Sequence, residues 1–205
     1  MSKERPILFS APMVRALLDG SKTQTRRAVK EFPLELLAPD NFTPEYVALP
    51  ENGFCPYGKP GDRLWVRETW RTTGDGGRAD YLAPRDMQPS PVWCDADGAA
   101  PAEECTGKTR VSIHMPRWAS RILLEIVSVR VELLNECSEA DARAEGAKHY
   151  EPASHLSHGG WSHDEWQVHE TVKASFEKLW ERINGAGSWA ANPWVWVVEF
   201  KRVAP

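Results

Sequence analysis

An α+β fold is predicted for this chain of 205 residues, built on a small, strongly bent, mostly antiparallel β-barrel with flanking helices. Three observations predict it. Apolar, strand-like runs recur over residues 63–70, 121–134 and 194–200, and helical stripes occupy residues 10–19 and 172–183. Residues 72–107 and 147–169 are rich in Gly, Pro and polar residues without a sustained period, and so read as two long insertions. With 41% hydrophobic residues the chain can bury one sizeable core, so a single domain over residues 1–205 is expected.

Ile7, Leu8 and Phe9 predict a first strand. Ser10 stands at an N-cap position with Pro12 in the first turn, and Val14, Leu17 and Leu18 give the following helix an inward face. Gly20 closes that helix, and residues 23–29 suit a strand with Thr23, Thr25 and Arg27 on one face and Gln24 and Arg26 on the other. Lys22 and Thr25 then point opposite ways unless Lys22 is still in the turn or a bulge intervenes.

Prolines at 33, 39, 44, 50, 56 and 60 disfavour long regular structure before the Pro60-Gly61-Asp62 turn. In the strand that follows, Leu64 and Val66 share one face, and Arg63, Trp65 and Arg67 the other. That second face suits either a binding wall or arginine stems laid over Trp65. Within the first insertion Asp80, Tyr81 and Leu82 predict one short strand. Regular structure is expected to resume at Val111 to His114, before a corner at Met115-Pro116-Arg117-Trp118. Residues 121–134 are long enough for two strands or one bent strand at the sheet centre.

Ser138 and Asp141 predict a capping box for a short helix ending at Gly146. Glu145 falls in its last turn, where the helix dipole opposes a negative charge, and on that geometry alone a solvated, indifferent carboxylate is expected. His149, His155, His158, His163 and His169 decorate the second insertion. Their spacing matches no zinc motif and no HExxH is present, so a polar lid is expected there and no metal. Val172, Phe176, Leu179, Trp180 and Ile183 form a core stripe, and residues 194–200 a strand apolar on both faces until Glu199.

A net charge of −4 argues against a protein that coats nucleic acid by bulk electrostatics, while leaving room for a local basic pocket. Ten tryptophans supply large surfaces on which flat ligands can stack. Cys55, Cys94, Cys105 and Cys137 form no CxxC pair, nothing resembles a signal peptide, and no apolar run approaches a membrane span. A cytoplasmic protein with reduced thiols and no membrane partner is expected.

The chemistry-bearing stretch is Gly20-Ser21-Lys22-Thr23-Gln24-Thr25-Arg26-Arg27, which offers an amine, a hydroxyl and two forked donors suited to phosphate or an oxyanion. On these residues alone it is equally a solvated basic turn. Together with Gly61-Asp62-Arg63-Leu64-Trp65-Val66-Arg67-Glu68 and the closing strand, it resembles the ASCH domain, a PUA-like β-barrel. His114-Met115-Pro116-Arg117-Trp118 and Leu179-Trp180-Glu181-Arg182-Ile183-Asn184-Gly185 resemble the phage and prophage variant.

In the small bacterial members that hydrolyse N4-acetylcytidine, a Gly-x-Lys-Thr-x-Thr-x-Arg segment carries the catalytic lysine and threonine. The resemblance implies Lys22 and Thr25 in those roles, and Glu145 as the third member. It implies an enzyme acting on a modified nucleoside, nucleotide or RNA without a cofactor, with Arg26, Arg27, Arg67, Glu68, Trp70, Arg117 and Trp194 around the substrate. A non-catalytic RNA or nucleotide reader and a ribonuclease fit the same residues. For amide hydrolysis Lys22 must lose its proton: Arg26, Arg27 and burial push in that direction, and an ionised Glu145 pushes back.

Overall fold

The computed structural model describes residues 2–30, 32–37, 41–100, 105–151, 159–163 and 167–204. Its centre is a five-stranded sheet of β1 (Glu4–Leu8), β2 (Gln24–Ala28), β3 (Arg63–Arg67), β6 (Leu123–Leu133) and β9 (Trp194–Val203), in the order β1-β3-β6-β9-β2. Only the β1–β3 pair is parallel. Helices α1 (Ala11–Leu18), α2 (Phe32–Leu36), α3 (Pro44–Ala48), α4 (Glu139–Ala144) and α5 (Val172–Asn184) complete an α+β architecture. No ladder joins β1 to β2 among the described residues, so the sheet has two edges.

The apolar run of residues 121–134 forms one long strand, β6, with a register shift between Ile126 and Ser128 that bends it against β9. Val195, Trp196, Val197 and Val198 of β9 are buried on both faces, as a central strand flanked by β6 and β2 requires. The apolar residues of α1 and the Val172, Phe176, Leu179 and Trp180 stripe of α5 close the same core. Ile183 departs from the expected stripe: it stands 58% exposed, because the last turn of α5 runs past the sheet and reaches the rim of a cleft.

The predicted strand over residues 63–70 is divided. It breaks at Glu68, whose backbone N–H points to Met115 Sδ and whose side chain is buried, and resumes as β4 (Trp70–Thr72). The strand expected at Asp80 is a 3-10 turn over Arg78–Tyr81, because the Asp80 carboxylate turns to accept from the Lys108 backbone N–H at 2.8 Å. The strand of this insertion is instead β5 (Val92–Cys94), paired with β4. Val111 to His114 is likewise no strand: Ser112–His114 is a 3-10 turn, and Val111 and Ile113 stand exposed. Among its described residues the proline-rich segment holds two five-residue helices, α2 and α3.

The second insertion contributes a hairpin of β7 (Lys148–Tyr150) and β8 (Gly160–Ser162). His155 and His158 lie outside the described residues. His163 is buried, its Nε2 2.8 Å from the Ala142 carbonyl and its Nδ1 2.7 Å from Ser175 Oγ. The carbonyl requires an Nε2–H donor, and with the Nδ1–Ser175 contact the ring ties the insertion to α4 and α5.

Gly20 ends α1 at φ +83° and Gly146 ends α4 at φ +103°. A Cβ on Gly146 would meet Ala16 Cβ at 2.9 Å and Lys22 Cβ at 3.1 Å, whereas one on Gly20 meets nothing within 4 Å. Gly146→Ala should therefore cost about 2–4 kcal/mol and Gly20→Ala only about 1–2 kcal/mol, read from urea unfolding. Equal losses would mean that close packing at Gly146 does not set the approach of the two segments.

Candidate functional site

Backbone geometry brings Lys22 to Glu145 before any charge is considered. The Lys22 N–H donates to the Ala16 carbonyl at 2.9 Å, the Thr23 N–H to the Ala144 carbonyl at 2.9 Å, and the Phe200 N–H to the Thr23 carbonyl at 2.9 Å. The link between the end of α1 and β2 is thereby stitched to the C-terminus of α4, and Lys22 forms an isolated antiparallel bridge with Glu145. Lys22, Gln24 and Arg26, two apart, share one face of the extended chain, and Asp141 and Glu145, four apart, share one face of α4. The two faces meet.

The result is a buried ionic network. Lys22 Nζ donates to Glu145 Oε2 at 2.8 Å and to the Glu145 carbonyl at 2.9 Å. Arg26 Nη1 reaches Glu145 Oε1 at 3.3 Å, and Arg26 Nε reaches Glu132 Oε1 at 3.1 Å. Gln24 Nε2 donates to the Asp141 carbonyl at 3.0 Å. Arg130 extends the network to Glu132 at 3.0 Å, to Asp141 at 2.8 Å and to Glu199. Lys22, Arg26 and Glu145 are each no more than 4% exposed. The expected solvated Glu145 is thus overturned: its side chain is buried, with the Lys22 amine on one carboxylate oxygen and on its backbone carbonyl, and Arg26 on the other oxygen.

Burial pushes the Lys22 amine down from its ordinary 10.5; Glu145 pulls it up, Arg27 and Arg26 push it further down, and the net direction is downward. Burial also works against the Arg26 charge, but Glu145 and Glu132 more than offset it and hold the guanidinium protonated. At Asp141 burial is outweighed by Ser138, Arg26 and Gln24, which hold the carboxyl at about 2.

This network meets a cleft of about 900 Å³ whose wall includes Lys22, Thr25, Arg26, Arg27 and Glu145. Phe9, Phe54, Tyr57, Phe176, Trp180 and Trp196 give the same wall its aromatic surface. The Phe9 ring lies under both Lys22 Nζ and the Arg27 guanidinium, each 5.4 Å from its centroid. Thr25 lines the cleft without hydrogen-bonding Lys22 or Glu145 among the described residues.

Five other residues expected around the substrate lie elsewhere. Arg67 stacks on Trp65 at 4.6 Å. Glu68 is buried in a fork with Arg121 at 3.0 and 3.1 Å. Trp70 is fully buried edge-on to Trp118 in a second apolar cluster. Arg117 pairs with Glu4 at 2.8 Å, and Trp194 packs half-buried on the main core.

Sequence reasoning did not find Gln24, Glu132, Arg130 or Asp141 as members of the network. A signal was present: Arg130, Glu132 and Glu199 are charges set in otherwise apolar strands, and such charges need partners. Among the described residues no group of three His, Cys, Asp or Glu is placed to hold a metal, and no helix is long and apolar enough to cross a membrane. No protein-family model, curated protein or solved structure matches the chain.

Removing Glu145 leaves the buried Lys22 amine without its carboxylate and takes one of three carboxylates from Arg26, so Glu145→Ala should lose about 3–5 kcal/mol in denaturant unfolding. The Asp141 carboxyl titrates lower in the folded chain than its ordinary 3.8. Its contribution to stability is therefore complete above that value and fades as the pH falls through about 2. Asp141→Asn should flatten the acid limb of unfolding midpoints measured between about pH 5 and pH 2, and an unchanged slope would refute the assignment.

Proposed function

We propose that the chain is an ASCH-type amidohydrolase with a PUA-like bent sheet, acting on an N4-acylated cytidine or a related modified nucleobase. The observation that carries this reading is the Lys22–Glu145 contact of 2.8 Å, buried at the wall of an aromatic cleft that Thr25 also lines. The mostly antiparallel sheet and the bend in β6 support the fold assignment.

In this reading Lys22 works as a base in its neutral form, which burial favours. The Thr25 hydroxyl attacks the acyl carbon and gives its proton to Lys22; the C–N bond then breaks, and Lys22 returns the proton to the departing nitrogen. Water, deprotonated by Lys22, attacks the resulting threonine ester; the acyl C–O bond breaks, Lys22 returns the proton to the Thr25 oxygen, and the carboxylate leaves. Glu145 has one oxygen on Lys22 and the other on Arg26, so it orients the amine. This step requires the hydroxyl and the amine to come into hydrogen-bond reach when substrate fills the cleft, a tightening common between free and bound sites.

Turnover of N4-acetylcytidine, with binding followed separately, tests the reading. Lys22→Ala and Thr25→Val should lower kcat at least about 100-fold while the substrate still binds. Glu145→Gln keeps the shape but not the charge and should cost about 10–100-fold. Wild-type protein that binds RNA in a salt-sensitive way yet releases no acetate would overturn the enzyme in favour of a non-catalytic reader.

A further inference from the structure

Cations outnumber carboxylates on the cleft wall: Lys22, Arg26, Arg27 and Lys30 stand against Glu145, in a chain whose net charge is −4. Lys22 and Arg26 are engaged with Glu145, and Arg26 also with Glu132 and Asp141. Arg27 is not so engaged. Its Nη2 donates to the Leu8 carbonyl at 2.9 Å and its guanidinium rests on the Phe9 ring, and it forms no ion pair among the described residues. Lys30 is exposed and likewise forms no ion pair among the described residues.

An arginine held by one backbone bond and one ring keeps the rest of its fork available to an anion, and planar forks match phosphate oxygens in pairs. A second unpaired cation on the same wall suits a dianion better than a single negative charge. The bases of a nucleic acid would need only the aromatic wall; the unpaired charges ask for something more.

We propose that the cleft takes its ligand as a nucleoside monophosphate, with the phosphate monoester on Arg27 and Lys30 and the base against the aromatic wall. This rests on the nucleoside reading above and narrows it. Neither Arg27 nor Lys30 pairs with Glu145 among the described residues, so the phosphate is given the role of setting affinity.

Titration calorimetry of the full chain at about 0.1 M salt, with cytidine, cytidine 5′-monophosphate and the unphosphorylated trinucleotide CpCpC, tests it. The monophosphate should bind about tenfold or more tighter than cytidine. Arg27→Gln should weaken the monophosphate by about tenfold while leaving cytidine within about twofold, and Lys30→Gln, at an exposed position that does not endanger folding, should weaken it by about threefold. Equal wild-type affinity for cytidine and its monophosphate, or an advantage that survives both variants, overturns the phosphate subsite alone. CpCpC binding tighter than the monophosphate assigns the cations to an RNA backbone and overturns the monoester. No binding of any of the three overturns this inference together with the nucleoside reading.

Discussion

The contact on which the rest of the site depends is the one between Lys22 and Glu145, a charge pair sunk to 4% and 3% exposure. A buried pair of this kind gives little net stability, because desolvating both ions costs about as much as their attraction returns. Its effect is to make one arrangement far better than any other. With Arg26 on the free oxygen of Glu145, any slip of β2 against α4 would leave a charge without a partner in a dry interior. Much of the surrounding architecture follows from that demand. Gly146 lets α4 end in contact with Lys22, the Ser138 capping box fixes the start of α4, and His163 holds the Ala142 carbonyl in its middle.

The same network sorts the basic residues of Gly20 to Arg27 into different tasks. Arg26 is structural: it faces Glu145, Glu132 and Asp141 and is firmly charged. Lys22 is poised, since desolvation and two neighbouring guanidiniums oppose its proton while one carboxylate favours it. Arg27 keeps donors available at the cleft. Three cations within six residues thus differ in chemistry because their neighbours differ.

The segments with strong periodicity were legible from sequence. The stripe of α1, most of the α5 stripe and the doubly buried β9 follow from apolar spacing, the closing of α1 at Gly20 follows from glycine's tolerance of positive φ, and residues 121–134 were legible as strand but not as one strand rather than two. The insertions were not legible, since the turn around Asp80 depends on Lys108 and the β4–β5 pair joins residues 20 to 24 apart. The lysine and glutamate were named in advance, but their meeting was not derivable from periodicity: it needs the end of one helix laid beside the end of another. Trp70 shows the converse. A tryptophan next to a basic strand looks like a binding platform, yet here it fills a core of its own.

Side-chain NMR of Lys22 tests the account most directly, following its Cε and Nζ shifts with pH in the wild-type protein. Lys22 should lose its proton below the 10.5 of a free lysine amine, as a base in a dry cleft must. Titration at or above that value would mean that Glu145 outweighs burial, and that Lys22 is a fixed cation and no base.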